Sequence, residues 1–132
     1  FTDVVVPVHL VTQEFFRLAA NRLSPGGSFL MNVIDHEDSL AALASIVLTL
    51  QSVFPVVEVW TEQVAPMPGQ RMVFVVVGGE IPTQAGSFSA PSPDQTRFAA
   101  LADAFVAQLA DTRGQLLTDD YAPIDRLMGR RD

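Results

Sequence analysis

The chain has 132 residues, 48% of them apolar, and fifteen acidic against eight basic residues give it a formal net charge of −7. That length suits one domain with a real core, and a mean hydropathy of +0.28 with pI ≈ 4.6 argues against a disordered segment and against binding the phosphate backbone of nucleic acid. The absence of cysteine removes disulfides and thiolate metal ligands, and because all eight basic residues are arginine, Schiff-base chemistry has no nucleophile here.

Val4 to Val6 is a short β-branched run that Pro7 ends by removing a backbone donor. Thr12 is placed as an N-cap, and Phe15, Phe16, Ala19, Ala20 and Leu23 recur at helical spacing from Gln13 to Leu23. Ser24-Pro25-Gly26-Gly27 stops that helix, and Ser28 to Ile34 reads as a buried strand. Asp35-His36-Glu37-Asp38 then separates the strand from a second helix over Leu40 to Val53, with Asp38 or Ser39 as its cap and Phe54-Pro55 as its stop. This helix is apolar on nearly every face, which predicts packing on two sides, one of them open to a partner chain. Its apolar stretch from Leu40 to Leu50 is about half of the roughly 20 residues a bilayer span needs. With no basic, cleavable leader at the start, a cytoplasmic setting is the expectation.

Val56 to Thr61 and Arg71 to Val77 read as strands of a wide hairpin across Pro66, Pro68 and Gly69. Ile81 to Pro91 reads as a surface loop. Ser92-Pro93-Asp94-Gln95 forms a capping box, which predicts a helix from there through Phe98, Leu101, Ala102, Phe105, Val106 and Leu109. After Gly114 comes Leu116 to Pro123, with a short helix expected over Ile124 to Met128.

Helix, Pro-Gly-Gly turn, strand, helix and antiparallel pair, in that order, resemble the C-terminal half of a class I S-adenosylmethionine-type Rossmann domain. The expected class is therefore α/β: a partial Rossmann-like three-layer sandwich with an antiparallel strand pair at one sheet edge, residues 1–132 forming the C-terminal part of a larger domain. Leu10 to Phe16 followed by Leu23, Pro25, Gly26 and Gly27 resembles the spermidine synthase family. Its divergent bacterial branch pairs a P-x-HL-x-T-x-EF segment with an LTDDYAP motif, and both are present here, at Pro7 to Phe15 and at Leu117 to Pro123. The chain departs from spermidine synthases in carrying Asn32 where they have glutamine, and in the LTDDYAP motif itself.

The resemblance implies transfer of the aminopropyl group of decarboxylated S-adenosylmethionine to an amine, leaving methylthioadenosine. It implies a nucleoside and an amine as small-molecule partners, no metal, and a homodimer. The family's glycine-rich loop and catalytic aspartate correspond to sequence ahead of Phe1, so no catalytic residue is assigned in this chain. Two alternatives stand beside this reading: a non-catalytic binding or dimerisation module of the same fold, and methyl transfer from S-adenosylmethionine itself.

Pro7 and Leu10 resemble positions on the nucleoside side of the pocket. His9 is a substrate-binding candidate, or a loop histidine satisfied by a backbone carbonyl. Asp119, Asp120 and Tyr121 offer two carboxylates and a phenol to an ammonium group, with a loop-folding role as the alternative. Ligands of open α/β sheets gather at the carboxyl ends of the strands, a rim to which the sequence assigns Pro7 to Thr12 and Asp35 to Asp38. The run Asp35 to Asp38 cannot easily converge on one ion, and its acids suit the dipole of the helix that follows. Trp60, on the hairpin, reads as core or interface.

Overall fold

The computed structural model describes residues 10–36, 40–62, 71–83, 87–89 and 97–120. In chain order these form α1 (Gln13–Arg22), β1 (Ser28–His36), α2 (Ala41–Gln51), β2 (Val56–Glu62), β3 (Arg71–Gly79), β4 (Ser87–Ser89), β5 (Arg97–Ala100) and α3 (Asp103–Arg113). The sheet order is β1-β3-β2-β5-β4. Both β1 and β2 pair antiparallel with β3, so they run in the same direction, with α2 as the crossover that parallel strands require. The hairpin expected from the sequence is present, in the register Val56↔Gly79 to Thr61↔Phe74.

Alternation along the strands decides which face is covered. Val33, Phe74, Val76 and Val59 point to one side and are buried with Phe16 of α1, Leu43, Ile46, Val47 and Leu50 of α2, and Val106 and Leu109 of α3. The described helices thus share one face of an antiparallel sheet, a mixed α/β arrangement consistent with part of a Rossmann-like domain. On the other face Leu30 is 60% exposed and Val73 42%.

The α1 boundaries follow local chemistry. Thr12, extended at φ −91°, accepts the Phe15 N–H at 3.2 Å and so caps the helix. Gly26 takes φ +77° in the turn that follows, a conformation glycine adopts without steric cost. A Cβ on Gly27 would stand 2.9 Å from the Ser24 carbonyl oxygen, which accepts the Gly27 N–H at 2.8 Å. Both glycines of the turn are therefore required, one for its dihedral and one for its close approach.

Four local expectations are corrected. Strand β1 continues to His36, so Asp35 is a strand residue. Leu40, left-handed at φ 56°, occupies the N-cap of α2 in place of Asp38 or Ser39. Ser87–Ser89, read as loop, form edge strand β4 against β5. Arg97–Ala100, read as helix, pair with Trp60 to Glu62 of β2, and α3 begins only at Asp103. There the exposed edge of β2 outweighed helical spacing: the ladder to β5 and the Leu101 N–H to Val59 carbonyl bond at 2.8 Å satisfy backbone groups that a helix would leave open. The capping box at 92–95, the Val4 to Val6 run and the Ile124 to Met128 helix lie outside the described residues.

Packing on both sides of α2 comes from this chain. Its residues Ala42 to Val47, Thr49 and Leu50 are buried against the sheet, against α3 and against the segment that follows α3. Gly114 stands against the α2 backbone, where a Cβ would lie 2.9 Å from the Ala44 carbonyl oxygen.

Candidate functional site

Three hydroxyls lie along α2 and its C-cap at positions 45, 49 and 52, spaced to share one face. Each donates to its own helix: Ser45 Oγ to the Ala41 carbonyl at 2.9 Å, Thr49 Oγ1 to that of Ser45 at 2.6 Å, and Ser52 Oγ to that of Thr49 at 2.6 Å. Each also accepts from another segment. Ser45 Oγ takes the Gln115 N–H at 3.0 Å, Thr49 Oγ1 the Leu117 N–H at 3.0 Å, and Ser52 Oγ the Gln13 side-chain amide at 2.8 Å. Ser45 and Thr49 are fully buried, and these double contacts satisfy polar groups that would otherwise be costly in a core.

The stretch from Gln115 to Asp119 is therefore held along alternate amides. Positions 45 and 49 are about 6 Å apart along a helix, close to the about 6.7 Å between alternate residues of an extended chain. The next alternate amide, Asp119 N–H, donates to Glu14 Oε1 of α1 at 3.0 Å, and the Leu117 carbonyl accepts the Gln13 N–H at 2.7 Å. One polar seam thus joins the start of α1 to the Leu117 to Asp120 segment. Glu14, Asp119 and Asp120, all exposed, come to its far end.

Asp35 marks the opposite end of α2. Its carboxylate, 1% exposed, accepts the Leu43 N–H at 3.0 Å, placing an acid at the positive end of the helix. From Leu43 to Ser52 is about 13 Å of helix. The rim to which the sequence assigned both Thr12 and Asp35 is accordingly divided, with Asp35 at the first turn of α2 and the start of α1 beside its last.

No protein-family model matches the sequence. No curated protein matches it either. Among solved structures, a probable spermidine synthase from Corynebacterium glutamicum superimposes with a TM-score of 0.68 at 21% identity, over 93% of this chain and 46% of that one. The fold is spermidine-synthase-like. The chain spans about half the length of that protein.

Within this spermidine-synthase-like fold, the candidate residues separate into two groups. Pro7, His9 and Tyr121 lie outside the described residues. Leu10, 37% exposed, precedes the α1 cap by two residues, while Asp119 and Asp120 follow the seam. The seam joins the chain just after Leu10 to the chain just before Asp119, so the nucleoside and amine candidates belong to adjoining segments. Two cavities are lined by other residues. One of about 460 Å³ is bounded by Gln51, Pro55, Glu58, Asp103 and Val106. The other, about 280 Å³, is bounded by the Leu23 to Gly27 turn, Val53 and Glu80. Both sit where β1 and β2 begin, beside the last turn of α2.

Among the described residues no cluster of histidine and carboxylate side chains could hold a metal ion, and no helix is long and apolar enough to cross a membrane. Trp60 is buried on the face away from the helices, its Nε1–H 3.4 Å from Glu58 Oε1. Glu58 in turn accepts both the N–H and the hydroxyl of Thr83, at 3.0 and 2.6 Å, so this carboxylate anchors the chain after β3. Ser45, Thr49 and Ser52 were not singled out in the sequence. The signal was present: three small hydroxyl residues at i, i+4 and i+7 of a helix otherwise fit for a core.

Proposed function

We propose that this chain forms one wall of an aminopropyltransferase site, where a nucleoside such as decarboxylated S-adenosylmethionine meets an amine acceptor. The observation that carries the reading is the seam. The two segments on which the family resemblance rests, 105 residues apart in sequence at the Glu14–Asp119 contact, are bonded through Gln13 to Leu117 and Glu14 to Asp119, on a spermidine-synthase-like fold. In this reading Leu10 and Pro7 border the nucleoside, while His9, Asp119, Asp120 and Tyr121 hold the ammonium group of the acceptor. Carboxylates suit that task because charge-assisted hydrogen bonds to an ammonium are stronger than neutral ones.

The amine must be deprotonated before it attacks the methylene beside the sulfonium. In this reading the base comes from outside the residues assigned here, and the chain supplies binding and orientation. Transfer would leave methylthioadenosine; methyl transfer on the same fold would leave S-adenosylhomocysteine.

A second reading, a non-catalytic module that associates with another copy or another domain, is favoured by the sheet face carrying Leu30 and Val73, 60% and 42% exposed. Calorimetric titration of the intact chain with methylthioadenosine, then with 1,4-diaminobutane, distinguishes the two. The transferase-wall reading expects heat with both ligands and loss of the diamine signal in a D119N/D120N double variant. No heat with either ligand would favour the module.

A further inference from the structure

Thr49 is fully buried, 68 residues away in sequence from the amide it holds. Its methyl group suits the core, and its hydroxyl is fully used, donating to Ser45 and accepting from Leu117. A hydroxyl whose proton is committed to the helix presents only lone pairs outward, so it selects an N–H donor. The alternation of the extended chain then fixes which residues follow: with Leu117 N–H on Thr49, Asp119 N–H falls to Glu14, and Asp120 is carried beyond the seam. A slip of one residue would present carbonyls to these oxygens and turn the side chains of the segment to the opposite sides.

We infer that Thr49 is a positioning residue for the Asp119-Asp120 pair, setting its register through the Leu117 amide. The inference rests on the reading of that pair as the amine-binding group, and it assigns to α2 the selection of which carboxylates are presented.

Thr49→Val keeps the shape, removes the acceptor and leaves the Leu117 N–H buried without a partner. Thr49→Ser keeps the acceptor and serves as the rescue. Two readouts are taken on the intact chain: the backbone amide resonances of Asp119 and Asp120, and the dissociation constant for 1,4-diaminobutane. T49V is expected to displace both resonances and weaken the diamine about tenfold, the equivalent of one lost hydrogen bond. T49S is expected to leave the resonances in place and the affinity within about twofold. Unchanged Val33 and Val76 resonances in T49V confirm that the sheet is intact. Should they be lost, Ser45→Ala, which removes the acceptor for Gln115, carries the same test.

Resonances that stay put in T49V, unchanged diamine affinity despite displaced resonances, or failure of T49S to rescue would each overturn the inference. If the unsubstituted chain binds no diamine, the amine-site reading fails by itself. The resonances then decide positioning alone, displacement supporting it and constancy overturning it.

Discussion

Phe16→Ala is expected to lower the unfolding free energy by about 3–5 kcal/mol, the range for removing a fully buried aromatic ring. Phe16 is 0% exposed, with its ring centroid 5.7 Å from that of Phe29 and 6.1 Å from that of Phe15, both edge-on. Phe29 continues the series by stacking on Phe54 at 6.1 Å. The four rings join α1, β1 and the end of α2, so the cavity left by truncation has walls on three elements and little freedom to collapse. Urea unfolding checks the value through the midpoint at constant m. Phe15→Ala, at a half-buried ring, is the comparison and should cost less. Because Phe16 anchors the helix whose first turn binds Leu117 and Asp119, F16A should also release that segment.

Gly114→Ala is expected to cost about 3 kcal/mol, at the upper end of what overpacking a well-filled site costs. The added Cβ would lie 2.4 Å from the Ala110 carbonyl oxygen, 2.9 Å from that of Ala44 and 3.0 Å from Leu48 Cβ. Two of these atoms are backbone and cannot swing aside. The glycine is required by space: φ is −79° at this position, which any residue adopts. Relief demands that α3 move away from α2, and Gln115, the next residue, would then lose its bond to Ser45 Oγ. Equilibrium denaturation reads the energy. A loss below about 1 kcal/mol would mean that the two helices are not in such close contact.

Elements were legible where local chemistry and tertiary environment agree. The α1 helix, its Thr12 cap and the Pro-Gly-Gly turn were readable because capping and left-handed glycine are local effects. The β2–β3 hairpin was readable because valine-rich alternation survives in a half-buried sheet. Phe98 to Ala100 misled because apolar spacing of three and four residues is equally compatible with a short edge strand followed by a helix. Only the unpaired edge of β2, a feature of the tertiary structure, decides between them.

The candidate site shows the same division. Asp119 and Asp120 were visible as a carboxylate pair, and the LTDDYAP motif pointed to them. Their coupling to Glu14 and Thr49 was not visible, since it depends on backbone amides meeting side chains 105 and 68 residues away. Asp35 was grouped with the acidic run that follows it. The strand carries it two residues further than the pattern suggested, and its carboxylate turns inward to the Leu43 amide.

The central claim is that the start of α1 and the Leu117 to Asp120 segment are bonded into one unit. A through-hydrogen-bond scalar coupling between the Gln13 amide nitrogen and the Leu117 carbonyl carbon tests it most directly, at a separation of 2.7 Å between nitrogen and oxygen. The coupling is predicted to be resolved, together with slow exchange of the Leu117 amide. An absent coupling with fast exchange at Leu117 would contradict the joined segments and, with them, the shared site.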